Sequence, residues 1–435
     1  MRSGEDRVRT EDRTETEKRA QENAAGDALD ALPGAEAVVK ADDNQGDGKG
    51  SSSEAAADKE TAETAGSDPE NASDETPAEE QEEAPEPYAD VVEDRYTRRA
   101  ATAEPGTVRI GFAGDILFDR SYAIQAQMES RGGGIEGAVG ASLLNEMREV
   151  DIMVANNEFP YTDGGAPQEG KTFTFHAAVK NVRQMSEMGV DLAGIANNHV
   201  FDYGETGFLD TLDTLDRAGI ARMGAGRDIE EASHPMYYIA GGMKIAFIAA
   251  TQIERHDNPN TRGATDTLPG VFRCMDETRL LKVVGEAKKE SDYVIVFIHW
   301  GTENELGPDW LQTRQAPELA EAGADLVVGM HSHCLQPVTY EGDVPVFYSL
   351  GNFLFNSKTL DTCLVEATLE RSDENGDGSL EDDEAKLKAL QFIPCIQSGC
   401  TVRMADDAEQ SRILEFMRSV SPGVAFDEDG YISRQ

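Results

Sequence analysis

The chain is short of basic residues, of long apolar runs and of paired cysteines, and each shortage removes a class of function. Lys and Arg total 39 against 83 Asp and Glu in 435 residues, for a formal net charge of -44. So few cations cannot neutralise a nucleic-acid backbone, so no nucleic-acid partner is expected. No run of about 18 apolar residues occurs, so the chain as given has no transmembrane helix. Its first residues, Met1-Arg2-Ser3-Gly4-Glu5-Asp6, lack the apolar stretch of a signal peptide. The expectation is either a cytoplasmic protein or a true start upstream of Met1. The five cysteines, Cys274, Cys334, Cys363, Cys395 and Cys400, are odd in number and lack the C-x-x-C spacing of a structural zinc site. Cys395 and Cys400 are near enough to bridge in an oxidising compartment, but two unpaired core thiols are the expectation.

The first hundred residues also lack Phe and Trp, and their only aromatics are Tyr88 and Tyr96. They carry 29 acids and 12 bases, so -17 of the net charge falls there and -27 on the remaining 335 residues. Such a composition buries too little apolar surface to offset chain entropy. The expected organisation is a disordered acidic tether over residues 1–104, a folded domain over 105–400 and a helical tail over 401–435 packed on that domain.

From Thr107 the pattern changes to short apolar runs bounded by Gly, Asn and Asp. Strands are expected at 108–113, 151–155, 192–196, 244–250, 293–298, 325–329 and 344–348. Amphipathic helices are expected at 136–149, 181–189, 205–218, 276–291 and 313–322. This alternation predicts an α/β fold with buried sheets. Strand-like runs without helices from Gln336 to about Pro394 predict a second, more antiparallel sheet. No internal repeat is visible, and 411–419 reads as a helix in the tail.

In α/β proteins ligands gather beyond the carboxyl ends of strands. Five of the seven expected strands end in carboxylate, carboxamide or imidazole groups: Asp115; Asn156-Asn157-Glu158; Asn197-Asn198-His199, followed by Asp202; His299 with Glu303; and His331-Ser332-His333. Singly, each has an ordinary reading as a turn, a cap or a core histidine. His331 and His333, two apart in an extended segment, would point to one side and present two imidazoles to one ion. Asp, Glu, Asn and His without thiolate suit manganese, iron, zinc or magnesium, and together they predict a metal-type site.

A second candidate ion site is the run from Asp373 to Glu384, which fits the calcium-loop pattern D-x-[DN]-x-[DN]-G-x5-E with Asp373, Asn375, Asp377, Ser379, Glu381 and Glu384 as ligands. Its flanks read as strands and not as the paired helices of an EF-hand, so a solvated hairpin loop is the default.

The ordered motifs Gly114-Asp115, Asn156-x-Glu158, Ala196-Asn197-Asn198-His199 with Asp202-Tyr203-Gly204, His299-Trp300-Gly301-x-Glu303, Gly329-x-His331-x-His333 and Tyr348-Ser349-Leu350-Gly351-Asn352-Phe353 resemble the capsule synthesis protein CapA family. That family belongs to poly-gamma-glutamate capsule biosynthesis and is related to the calcineurin-like metallophosphoesterases. The resemblance covers about residues 108–399. It implies a four-layer α/β/β/α sandwich with ligands on loops at one edge. By position it implies Asp115, Glu158, Asn198, His299, His331 and His333 as metal ligands, and His199, Asp202 and Glu303 as catalytic residues. Lys171 matches a basic position of the family, and Lys171, Arg120 and Asn197 are the expected substrate-binding residues; a solvated strand lysine is the ordinary reading of Lys171. Metallophosphoesterases normally begin with Asp-x-His, but here Ile116-Leu117 follow Asp115, so one histidine ligand is absent and two-metal chemistry is in question.

The resemblance leaves three functions open: a component of capsule or envelope-polymer biosynthesis, an active metal-dependent hydrolase of a phosphoester or envelope polymer, and an inactive binding scaffold. It implies an anionic envelope polymer such as poly-gamma-glutamate, and membrane synthase subunits, as partners. It also implies an extracytoplasmic, membrane-associated location, with the acidic leader as a spacer.

Overall fold

The protein is described from a computed structural model, which describes residues 87–254, 261–371 and 384–435. The expected tether lies outside these residues up to 86, as does the expected calcium loop from Asp373 to Asp383. Within the described residues, that loop's flanks are the antiparallel strands Leu360–Glu370 and Lys386–Ser398, as expected of a hairpin.

Two sheets form the centre. The eight-stranded sheet comprises β2 (Thr107–Ile116), β3 (Ile152–Asn157), β4 (Leu192–Gly194), β5 (Ala221–Met223), β14 (Asn352–Leu354), β15 (Leu360–Glu370), β16 (Lys386–Ser398) and β17 (Thr401–Met404). Its path runs β17-β16-β15-β2-β3-β4-β5, with β14 pairing off the path onto β2. The seven-stranded sheet comprises β1 (Thr97–Arg99), β7 (Met236–Ala240), β8 (Met243–Thr251), β10 (Tyr293–His299), β11 (Leu326–Met330), β12 (Val338–Glu341) and β13 (Val344–Phe347), in the order β1-β7-β8-β10-β11-β13-β12. Two short ladders complete the strands, β6 (Ala225–Gly226) with β9 (Gly270–Val271) and β18 (Val424–Phe426) with β19 (Ile432–Arg434).

The two-residue period of a strand sorts its side chains between layers. In β10, Tyr293, Ile295 and Phe297 face a core shared by both sheets, while Val294, Val296 and Ile298 face an outer core. In β3, Ile152 and Val154 join the shared core, and Met153 and Ala155 join the other outer core. Phe112 of β2 and Phe297 of β10 meet between the sheets, ring centroids 6.4 Å apart. Helices close the outer faces. Thr278–Glu290 buries Leu280, Val284 and Ala287, and Gly204–Ala218 buries Phe208, Leu212 and Leu215. The result is the expected α/β/β/α order of layers.

Several boundaries differ from the sequence reading. The tether was expected to reach residue 104, but Thr97–Arg99 pairs in parallel with β7 as an edge strand. Backbone pairing here outweighs a charged composition. The strands after Gln336 do not form a sheet of their own: β12 and β13 join the seven-stranded sheet, and β14, β15 and β16 join the eight-stranded one. Buried on both faces over most of its length, β15 runs antiparallel between β2 and β16. The tail is more than a helix, because β17 pairs with β16 before the helix Asp407–Val420 begins at its Asp406–Glu409 capping box. The three-residue β5 is too short to be read from sequence, whereas β7, the apolar run Met236–Ala240, is a strand the sequence reading missed. Cys395 and Cys400 are both buried free thiols.

Candidate metal centre

Both sheets present their carboxyl ends to one place. The eight-stranded sheet brings Asp115 at the end of β2, Asn156 and Glu158 at the end of β3, and Asn198 and His199 beyond β4. The seven-stranded sheet brings His299 and Glu303 from the end of β10 and His331 and His333 from the end of β11. The expected ligands thus converge from strands far apart in sequence.

Their route differs in one respect. His331 and His333 do not lie in an extended segment. Both adopt left-handed backbone, with φ of 93° and 57°, a conformation costly for side chains with a Cβ and concentrated at functional turns. The turn is held by the Asn304 N–H, which donates to the Ser332 carbonyl at 2.8 Å. It leaves the two rings 5.8 Å apart by centroid.

Contacts within the cluster are close. His299 Nε2 lies 3.0 Å from His331 Nδ1, 2.8 Å from Asn198 Oδ1 and 3.5 Å from Glu158 Oε1. His333 Nδ1 lies 3.3 Å from Asp115 Oδ2 and 2.9 Å from Asn352 Oδ1. Asn156 donates through Nδ2 to Asp115 Oδ1 at 2.7 Å, and the same nitrogen is 3.4 Å from His299 Nδ1. Among the described residues, three groups have ligand atoms within 4.8 Å of one another: Glu158, His299 and His331; Glu303, His331 and His333; and Asp115, Glu158 and His333. Glu303, expected as a catalytic residue, therefore falls among the ligand-type groups.

Burial and charge set the protonation. Burial, followed by the nearby Asp115 charge, pushes the Glu158 carboxyl well above the usual range. Burial also works to raise Asp115, but hydrogen bonding and charge from His333 more than offset it, so Asp115 sits low. Burial drives His299 down to about 3, which keeps its imidazole neutral. Burial acts to lower His333 as well, and Asp115 more than reverses it.

The donor set fits a divalent cation. Both oxygens of Glu158 are buried and accept no hydrogen bond, and Oδ2 of Asp115 has only the long 3.3 Å approach of His333 Nδ1. Such orphaned carboxylate oxygens are costly in a folded interior unless a cation meets them. The nitrogens and oxygens of the cluster, without thiolate, are ligands for manganese, iron, zinc or magnesium.

Beside the cluster, His199 Nδ1 lies 2.7 Å from Asp202 Oδ2, which also accepts from the Phe175 N–H at 2.7 Å. The His199 ring packs on Phe175, with centroids 4.1 Å apart. Burial pushes the Asp202 carboxyl up to about 7 against the pull of the Lys171 ammonium. The expected substrate-binding residues sit differently from one another. Lys171 is neither solvated nor open to the cleft: its side chain is 5 % exposed, its ammonium pairs with Asp202 Oδ1 and donates to the Asn198 carbonyl at 2.5 Å. Asn197 accepts from the N–H groups of His199 and Val200 and donates to the Asn157 carbonyl, so it shapes the loop. Arg120, 70 % exposed, pairs with Glu129 at the surface. Asn156 and Asn352 were missed as site residues, although both stand in the motifs that carried the resemblance. A cavity of about 710 Å³ lined in part by Glu230, His234, Arg273 and Arg279 shares no residue with the cluster.

The family model described as bacterial capsule synthesis protein PGA_cap matches residues 109–357. The chain is 29 % identical over 293 residues to the PGA biosynthesis protein CapA of Bacillus subtilis (strain 168), covering 66 % of this chain and 73 % of that protein. It is 32 % identical over 220 residues to the capsule biosynthesis protein CapA of Bacillus anthracis, covering 48 % of this chain and 51 % of that one. A probable polyglutamine synthesis accessory protein of Mycobacterium tuberculosis is 26 % identical over 213 residues, covering 48 % of this chain and 56 % of that protein.

Proposed function

We propose, for a chain that belongs to the bacterial capsule synthesis protein family, that it acts in the biosynthesis of poly-gamma-glutamate capsule or a related envelope polymer through a metal-dependent, metallophosphoesterase-type site. The observation that carries this reading is the fully buried Glu158, whose two oxygens accept no hydrogen bond while facing His299, His331, Asp115 and His333. Asp115, Glu158, Asn198, His299, His331 and His333 would hold the ion, with Glu303 beside them. A bound divalent cation supplies Lewis-acid polarisation of a phosphoryl or carbonyl oxygen.

The chain's own residues do the rest. Asp202 holds His199 through Nδ1, and Nε2 is the atom that would exchange a proton with a leaving oxygen. Phe175 packs against the ring and keeps water from that side. Lys171 fixes Asp202 and the Asn198 backbone together, so one ammonium orients both the proton-handling residue and a ligand. The partner is an anionic polymer of the envelope or its activated precursor, and membrane synthase subunits would be neighbours. An extracytoplasmic, membrane-associated location goes with this role; among the described residues no helix is long and apolar enough to cross a membrane.

The test is hydrolysis of a generic phosphodiester by manganese-loaded protein beside His331→Ala. Turnover abolished by the substitution supports chemistry at this site. Bound metal without turnover in the wild-type protein would favour a binding cleft. Absence of both metal and turnover would reject the reading.

A further inference from the structure

The run Tyr348-Ser349-Leu350-Gly351-Asn352 supplies none of the proposed ligands, yet it contacts both Asp115 and His333. It leaves the seven-stranded sheet at the end of β13 and enters the eight-stranded sheet at β14, so it is the chain segment that crosses between the sheets at the cluster. At its start the Leu350 N–H donates to the Gly329 carbonyl at 3.0 Å, next to the turn that carries His331 and His333. At its end the Asp115 N–H donates to the Gly351 carbonyl at 3.1 Å, and Asn352 stands in register with Asp115. The approach leaves no room for a side chain, because a Cβ on Gly114 would lie 2.0 Å from the Gly351 oxygen. Gly351 itself has φ of 71°. The crossover therefore fixes the backbone of Asp115 against the histidine turn.

Asn352 extends that hold to a side chain. It is 2 % exposed, and its Oδ1 lies 2.9 Å from His333 Nδ1, while Asp115 Oδ2 lies 3.3 Å from the same nitrogen. Both facing atoms are oxygens that accept and do not donate. Nδ1 must then carry the proton, and in the neutral ring the lone pair is on Nε2. We propose that Asn352 is a positioning residue that fixes the His333 tautomer and ring orientation so that Nε2 is the atom offered to a divalent cation. This inference rests on the reading of His333 as a ligand. Outer-shell partners of ligating histidines set tautomer and basicity, and their loss costs about 10–100-fold in metal affinity.

The experiment uses full-length protein labelled with ¹⁵N at its seven histidines, stripped of metal and held near pH 8.5, with a His333→Gln spectrum to assign the signal. Wild-type His333 is expected to be protonated at Nδ1. Asn352→Ala is expected to mix the tautomers and, in calorimetric titration with Mn²⁺, to weaken binding about 10–100-fold. Asn352→Asp keeps an acceptor oxygen and is expected to keep the tautomer and the affinity. Wild-type His333 protonated at Nε2 would overturn the proposal, and this measurement needs no variant to fold. Unchanged tautomer and unchanged affinity in Asn352→Ala would overturn it as well. If the wild-type protein takes up no Mn²⁺, the ligand reading fails on its own. The tautomers of wild type and Asn352→Ala then decide separately whether Asn352 governs the ring.

Discussion

His299 Nε2, at the end of β10, and His331 Nδ1, in the turn just after the neighbouring strand β11, face each other at 3.0 Å. With His299 neutral through burial, this contact is a shared hydrogen bond unless a cation takes the place of its proton. The unpaired oxygens of Glu158 beside them favour the cation. A ligand that binds only the folded state stabilises it by about 2.7 kcal/mol at a hundred times its dissociation constant. Manganese should therefore raise the melting temperature of wild-type protein and leave that of His331→Ala nearly unmoved, as differential scanning calorimetry would register.

Glu158 should cost stability when no metal is present. Its pKa is raised in the folded state, so the folded protein binds that proton more tightly than the unfolded chain does. Stability then falls as pH climbs from the ordinary value of 4.5 toward the raised one. In chelator at alkaline pH, Glu158→Gln should be more stable than wild type by roughly 1–3 kcal/mol and should gain nothing from added manganese. Asp202, also raised, keeps part of the pH slope in the variant. Urea midpoints across pH would measure this; a variant less stable than wild type at high pH in chelator would contradict the account.

His199 and Asp202 should separate chemistry from metal binding. His199→Ala, which leaves the Lys171–Asp202 pair in place, is expected to lower turnover of a phosphodiester by about 10²–10⁴-fold while manganese affinity, read by calorimetry, stays near that of wild type. Equal losses in both would make the pair structural.

Lys171 and Arg120 should behave oppositely. Lys171 is buried on Asp202, so Lys171→Met leaves a buried charge without its partner and should cost about 3–5 kcal/mol of folding stability. Arg120 pairs only at the surface, and Arg120→Ala should change stability by less than about 0.5 kcal/mol. A Lys171→Met protein of wild-type stability would return the lysine to a substrate-binding role.

Strand periodicity made much of this legible from sequence. The unbroken apolar run Tyr293-Val294-Ile295-Val296-Phe297-Ile298 marks a strand buried on both faces, and the polar residues after such runs mark the cluster. The ligand types Asp115, Glu158, His299, His331 and His333 were found in this way. What escaped depends on three-dimensional pairing. Nothing local in Thr97-Arg98-Arg99 announces an edge strand, since its support comes from β7. Asn352 looks like a turn residue until β14 brings it into register with Asp115. Lys171 reads as a surface lysine because its partner Asp202 lies 31 residues away.

The most direct measurement is a calorimetric titration of Mn²⁺ into chelator-stripped protein, wild type beside Glu158→Gln. Saturable binding by the wild type and none by the variant is the predicted result. No binding by a folded wild-type protein, or equal binding by both, would contradict the metal centre.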